Sequence, residues 1–189
     1  MHITHYLWAM STLFFYLNAE YVHCSLFLKI DKNIEKYEVL DIQSNKKIIG
    51  SGYSIMIPNN WVAKQLDSNQ VFIKGAKVNN VYSAIYITKW PKNGKNYIDA
   101  ANRMKIQQSK NIDYTLLSEK DISKLNLNAL LRRSSWYSSN INMKLFIREI
   151  YTQNDTDIFI ISASIPMVPD LETLDEHMVS ILSTFKFLP

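Results

Sequence analysis

The chain has 189 residues, 47% of them apolar and 20% charged, which is the make-up of a folded globular chain and excludes a disordered one. The formal charge of +4 is spread along the sequence rather than gathered in one stretch, so composition does not favour nucleic-acid binding. A single cysteine, Cys24, excludes an intramolecular disulfide and a cysteine-built metal cluster.

Residues Met1 to Ala19 contain no Lys, Arg, Asp or Glu and include the apolar run Tyr6–Leu17. That run is shorter than the ~20 residues a spanning helix needs, but it has the length of a signal-peptide core. Ahead of it stand His2 and His5 in place of a cationic segment, and Leu17-Asn18-Ala19 offers a small residue before a cut. The expectation is a signal peptide or signal anchor over 1–19, hence an exported chain that is periplasmic, secreted or membrane-tethered. The rival is a buried N-terminal helix. Cys24 follows closely and is either a lipidation site or an ordinary thiol; Tyr21-Val22-His23 are not the small residues that lipidation prefers. Residues 20–47 read as a lead-in, with Tyr37–Ile42 a short helix or strand, and 48–189 as one folded domain.

The domain opens on Gly52–Trp61, GYSIMIPNNW. Tyr53, Ile55 and Ile57 share one face of a strand, Pro58 ends its ladder, Asn59-Asn60 turns the chain, and Trp61 anchors the turn against the core. Val71–Ala76 and Tyr82–Trp90 predict two further strands, the second apolar on both faces and therefore central in a sheet. Pro91–Lys95 is a turn, and Asn96 caps a helix from Tyr97 to about Lys110. Tyr114–Ser118, Leu127–Tyr137, Ile141–Arg148 and Asp157–Ile165 predict strands, with hairpin turns at Ser138–Asn140 and Gln153–Thr156. Asp157–Ile165 reads as buried on both faces. A last helix, capped by Asp170, carries Leu171, Leu174, Met178, Ile181, Leu182 and Phe185 on one stripe facing the sheet. The fold class is α+β: a mostly antiparallel sheet of about six strands flanked by helices.

Motifs for chemistry are scarce. Neither GxSxG, GxGxxG nor a phosphate-binding loop occurs. His177 sits on the last helix with no second N or S ligand near it in sequence, and Asn154-Asp155-Thr156-Asp157 lacks the glutamate that closes a calcium loop and reads as a turn. No metal and no cofactor is expected. Basic and aromatic residues gather twice, at Lys89-Trp90-Pro91-Lys92-Asn93-Gly94-Lys95 and at Arg132-Arg133 with Trp136-Tyr137. Lys89, Trp90, Lys92, Lys95, Arg132, Arg133, Trp136 and Tyr137 are therefore the candidate partner-binding residues, since Arg and aromatic side chains are over-used at interfaces. The plainer alternative is that both tryptophans pack at the ends of the sheet while the cations are solvated.

In order along the chain, GYSIMIPNNW, a strand ending in KWP before a helix, LNALLRRSSWY leading into MKLFIREIYT, DIFIISASIP, and a helix ending in ILSTFKF resemble the PsbP-like family over roughly residues 48–187. That family includes the oxygen-evolving accessory protein of photosystem II, DcrB-type bacterial lipoproteins and a nuclear Ran-binding protein. The resemblance implies an antiparallel sheet flanked by helices and a role in binding other proteins. An exported chain departs from the nuclear branch, so Ran is not the expected partner. The expected function is that of a non-catalytic binding or accessory protein acting at or outside a membrane through an unidentified protein partner. The alternative is a carrier or receptor for a small or lipidic ligand between sheet and helix. A carrier requires an apolar pocket with a few polar groups; a protein-binding module requires a filled core and an exposed apolar patch. An enzyme requires titratable groups within hydrogen-bond reach in a cleft.

Overall fold

The computed structural model of the protein describes residues 45–121 and 128–188. The expected signal segment, Cys24, the Tyr37–Ile42 element and the first residue of the expected Leu127–Tyr137 strand lie outside these residues.

Among the described residues ten strands and two helices follow in the order β1 (Asn45–Gly50), β2 (Tyr53–Pro58), β3 (Val62–Asp67), β4 (Gln70–Val78), β5 (Val81–Pro91), α1 (Tyr97–Gln108), β6 (Thr115–Asp121), β7 (Ala129–Ser138), β8 (Met143–Gln153), β9 (Asp157–Pro166), α2 (Leu171–Leu182) and β10 (Lys186–Phe187). They form a seven-stranded sheet in the order β3-β4-β5-β9-β8-β7-β6 and a three-stranded sheet in the order β1-β2-β10. Every pairing is antiparallel. The chain lays down β3-β4-β5 as a meander and crosses by α1. It then returns through β6-β7-β8-β9, so that β9 closes against β5. The expected α+β class with an antiparallel sheet and flanking helices is the observed one.

Local sequence explains the turns. Asn79 and Asn80 both hold positive φ, 47° and 65°, as a two-residue hairpin between β4 and β5 requires. Asn93 and Gly94 do the same, at 44° and 76°, and the N–H of Lys95 donates to the carbonyl of Lys92 at 2.7 Å to close the turn into α1. Asn96 caps α1 in a full capping box: its Oδ1 accepts from the N–H groups of Ile98 and Asp99, and the Asp99 carboxylate accepts from the N–H of Asn96. Asp170 differs from expectation. Its backbone, at φ −88° and ψ 27°, leaves the extended region that a side-chain cap needs, and it makes no cap hydrogen bond.

The main core lies on one face of the large sheet, beneath α2 and the small sheet. Ile73, Ile85, Ile87, Phe146, Phe159, Ile161, Ala163 and Ile165 supply the sheet side. Tyr53, Ile55 and Ile57 come down from β2, and Met178, Ile181 and Leu182 from α2, on the stripe expected from its spacing, with Phe185 just past the end of the helix. Tyr53 stacks on Phe185 at 5.4 Å and meets Phe159 edge-on at 5.8 Å. Strands β1, β3 and β10 were not expected. β1 and β3 are largely exposed and polar, and β10 has only two residues, so none carries a strand-length apolar pattern.

GYSIMIPNNW is thus the second strand, in the small sheet, and its turn seats Trp61 in the core at 2% exposure. The indole lies over Gly75, where a Cβ would stand 2.8 and 2.9 Å from ring carbons of Trp61 and 2.5 Å from Ser83 Oγ. Overpacking of this kind costs about 1–3 kcal/mol. Gly75→Ala is therefore expected to lower the unfolding free energy by that amount, seen as a lower urea midpoint with an unchanged denaturant slope; an unaltered midpoint would show that Trp61 is not seated on this strand.

Candidate functional site

Among the described residues the second face of the large sheet is covered only in part. Helix α1 packs Ala100 and Ala101, with Tyr97 and Met104 beside them, onto Tyr151, Ile158 and Ile160. Beyond this contact lies an open cleft of about 980 Å³, at the upper end of the range of small-molecule sites. Its floor follows the two-residue period of the strands: Tyr86, Thr88 and Trp90 from β5; Ile158, Ile160, Ser162 and Ser164 from β9; Leu145, Ile147 and Glu149 from β8; Trp136 and Ser138 from β7. Arg103, Met104, Gln107 and Gln108 of α1 form the opposite wall, and the Lys92–Lys95 turn forms one end.

At the C-terminal end of α1 the wall is polar and dry. Arg132 and Glu149 face one another across β7 and β8, at 0% and 1% exposure. Arg132 Nε donates to Glu119 Oε2 at 2.8 Å, and Nη1 donates to the Tyr151 hydroxyl at 3.0 Å. Tyr151 in turn donates to Glu149 Oε2 at 2.9 Å, and Gln108 Nε2 donates to Glu149 Oε1 at 2.6 Å. Lys105 adds a longer ion pair to Glu119 at 3.6 Å. Burial pushes the Glu149 carboxyl above the ordinary glutamate range, against the lowering effect of Tyr151, Gln108 and the Arg132 charge. Burial also raises the Tyr151 hydroxyl well above its usual value, with Glu149 adding to the effect. Burial alone would lower the Arg132 guanidinium, but Tyr151, Glu119 and Glu149 together hold it above its ordinary value. Each member thus has its charge or proton held by another member. Glu149 and Tyr151 are titratable groups in mutual contact at a cleft, but their shared hydrogen bond and the neighbours above engage both of them.

The sequence-predicted residues separate by strand parity. Trp90 and Trp136 line the cleft, together with Lys92 and Lys95 at its end. Lys89, next to Trp90, points to the other side and donates to Ser51 Oγ at 2.8 Å. Arg132 is sealed in the network above. Arg133 is on the opposite face, where it stands over the Phe146 ring at 5.4 Å and lies 3.5 Å from Asp175 of α2. Asp175 also takes Arg148 Nε at 2.7 Å, so one carboxylate serves two arginines that oppose each other across β7 and β8. The Tyr137 hydroxyl donates to Asn142 Oδ1 within the hairpin turn. His177 lies against Trp61, and burial lowers its imidazole below the usual value. The Asn154–Asp157 stretch is a turn in which Asn154 Oδ1 accepts from the N–H groups of Thr156 and Asp157. Among the described residues no group of three His, Cys, Asp or Glu side chains is placed to hold a metal ion, and no helix is long and apolar enough to cross a membrane.

Sequence reasoning missed Glu149, Gln108, Ser162 and Ser164. The two serines carried a usable signal: polar residues two apart on one face of an otherwise apolar strand mark a face that meets something other than core.

No known sequence family and no curated protein sequence matches the chain. Its structure is nevertheless similar to cyanobacterial PsbP (CyanoP) of Synechocystis, at a TM-score of 0.54 and 12% identity over 82% of this chain and 99% of that one. The chain has the PsbP/Mog1-like fold. The same fold relates it to the Ran-binding protein Mog1p of Saccharomyces cerevisiae, at a TM-score of 0.52 and 10% identity over 76% of this chain and 95% of that one. LpqN of Mycobacterium tuberculosis, involved in cell envelope biogenesis, aligns at a TM-score of 0.54 and 9% identity over 77% of this chain and 91% of that one. Within the PsbP/Mog1-like fold, the cleft here lies between the large sheet and the crossover helix α1.

Two outcomes follow from the buried network. Arg132→Met leaves Glu149 without its cation and is expected to cost about 3–5 kcal/mol in urea unfolding. A loss well under 1 kcal/mol would mean the pair contributes nothing to holding β7 on β8. Glu149 has a folded pKa above its unfolded value of about 4.5, so its contribution to stability is full below that pH and is lost as pH rises through the folded value. The stability difference between the natural chain and Glu149→Gln should therefore shift against the natural chain as pH rises from about 4.5; a pH-independent difference would contradict the assignment.

Proposed function

We propose that the protein is a non-catalytic binding protein that holds a largely apolar small ligand in the cleft between α1 and the large sheet. The observation that carries this reading is the cleft itself: side chains of β5, β8 and β9 and Met104 of α1 line a space of about 980 Å³ that the described residues leave unfilled. Polar side chains of α1 and of the Lys92–Lys95 turn stand along its walls, and the buried Trp136 indole N–H and Gln108 Oε1 have no hydrogen-bond partner within the protein and can take one from a ligand. Export through the 1–19 segment, with tethering at Cys24 as its variant, would put this binding activity at or outside a membrane.

A protein partner is the second reading. Edge strand β6 is exposed along its whole length and displays Leu116 and Leu117, an open ladder on which another chain can add a strand. That one protein of this fold is a Ran-binding protein supports the style of function without naming a partner.

Titration of the full chain with the neutral dye Nile red, read through dye emission and tryptophan quenching, tests the first reading. Ser162→Phe and Ser164→Phe fill the cleft floor and should abolish saturable binding while the far-ultraviolet circular dichroism stays unchanged. Dye binding unaffected by both substitutions would place the apolar site elsewhere and overturn the proposal.

A further inference from the structure

The two ends of the cleft differ in charge. At the N-terminal end of α1 the lining includes Lys92 and Lys95, with Arg103 two turns along the helix. None of the ion pairs among the described residues involves these three. Lys92 Nζ reaches a backbone carbonyl, that of Asn154, at 3.4 Å, and the Arg103 guanidinium lies over the Trp90 ring at 5.3 Å. The carboxylate at this end is Asp99, which is occupied in the capping box of α1. At the C-terminal end the lining carboxylate is Glu149, sealed beneath Gln108. Twelve residues of helix separate these ends, roughly 18 Å at helical rise. Between them the lining includes Trp90, Met104, Ile158 and Ile160, and Ile147 lies beyond Glu149 on the Trp136 side.

From this polarity, and resting on the reading of the cleft as a ligand site, we propose that the ligand is a single-chain anionic amphiphile. Its head group, a carboxylate, lies at the Lys92–Lys95 turn and its alkyl tail beside Trp90 and Met104, toward Trp136. Three cations against one carboxylate at the open end attract an anion, and the aligned helix dipole adds to the attraction. The same anion placed at the other end would meet Glu149 in a dry wall and is disfavoured there. The geometry therefore sets orientation as well as class. A cationic amphiphile has no favourable end, because Glu149 is already engaged by Gln108 and Tyr151 and the open end repels it.

The test is calorimetric titration of the full chain with decanoate, decanol and decyltrimethylammonium, each below its micelle concentration or solubility limit. Decanoate should bind about tenfold more tightly than decanol, decyltrimethylammonium more weakly than either, and added salt should draw both charged compounds toward the affinity of decanol. In the double variant Lys92→Glu/Lys95→Glu decanoate should bind no more tightly than decanol. Decanol binding as tightly as decanoate, or a decanoate advantage that survives the double reversal and high salt, overturns the anionic assignment and leaves the cleft as a site for neutral ligands. Absence of binding by all three compounds overturns the cleft reading itself, and the anionic assignment with it.

Discussion

A seven-stranded sheet has two faces to shield from water, and among the described residues one short helix, α1, packs on the second. Seven strands at their ordinary spacing span roughly 29 Å, and the twelve residues of α1 cover a strip about 18 Å long and one helix wide. On the first face this deficit does not arise, because α2 and the small sheet together close over it with Tyr53, Phe159 and Phe185 at the centre. The cleft is the remainder on the second face. Its existence follows from the order of elements along the chain, since α1 is the crossover between the β3-β4-β5 meander and the β6-β7-β8-β9 meander and must run across one side of the sheet.

Two arginine arrangements fix what packs where. On the cleft face, Arg132 is matched by Glu119, Tyr151 and Glu149, and Gln108 ties the last residue of α1 into the same network. This anchors the helix at its C-terminal end and fixes where it sits relative to β8. On the other face, Arg133 and Arg148 oppose each other, an arrangement that repels until Asp175 of α2 stands between them. Helix α2 is thus held by charge near its middle and by its apolar stripe along its length. The neighbours Arg132 and Arg133 serve two different helices because a strand turns successive side chains to opposite faces.

Much of the fold was legible because its central strands and last helix are strongly patterned. DIFIISASIP reads as a buried strand and is the middle strand of seven; the stripe from Leu171 to Phe185 meets the sheet as its spacing requires. What escaped was the periphery. β1 and β3 alternate polar and half-buried residues, and such edges satisfy the sheet without an apolar signature. The site was legible by composition and obscured by parity. Trp90, Lys92, Lys95 and Trp136 come together at the cleft, while Lys89, Arg133 and Tyr137, their neighbours in sequence, face away. Glu149 was missed because its meaning depends on pairing: only the register that places it opposite Arg132 makes a buried carboxylate reasonable.

The account joins these parts into one picture: a sheet over-wide for its covering helix, a dry polar network at one end of that helix, cations at the other, and an apolar floor between. The most direct measurement is a crystal structure of the full chain grown with an ω-bromoalkanoate and phased on the bromine signal. One bromine site is predicted within the cleft, on the Trp136 side of Met104, with the carboxylate at the Lys92–Lys95 turn. A cleft empty of bromine, with the compound seated on the exposed edge at Leu116 and Leu117 or elsewhere, would contradict it.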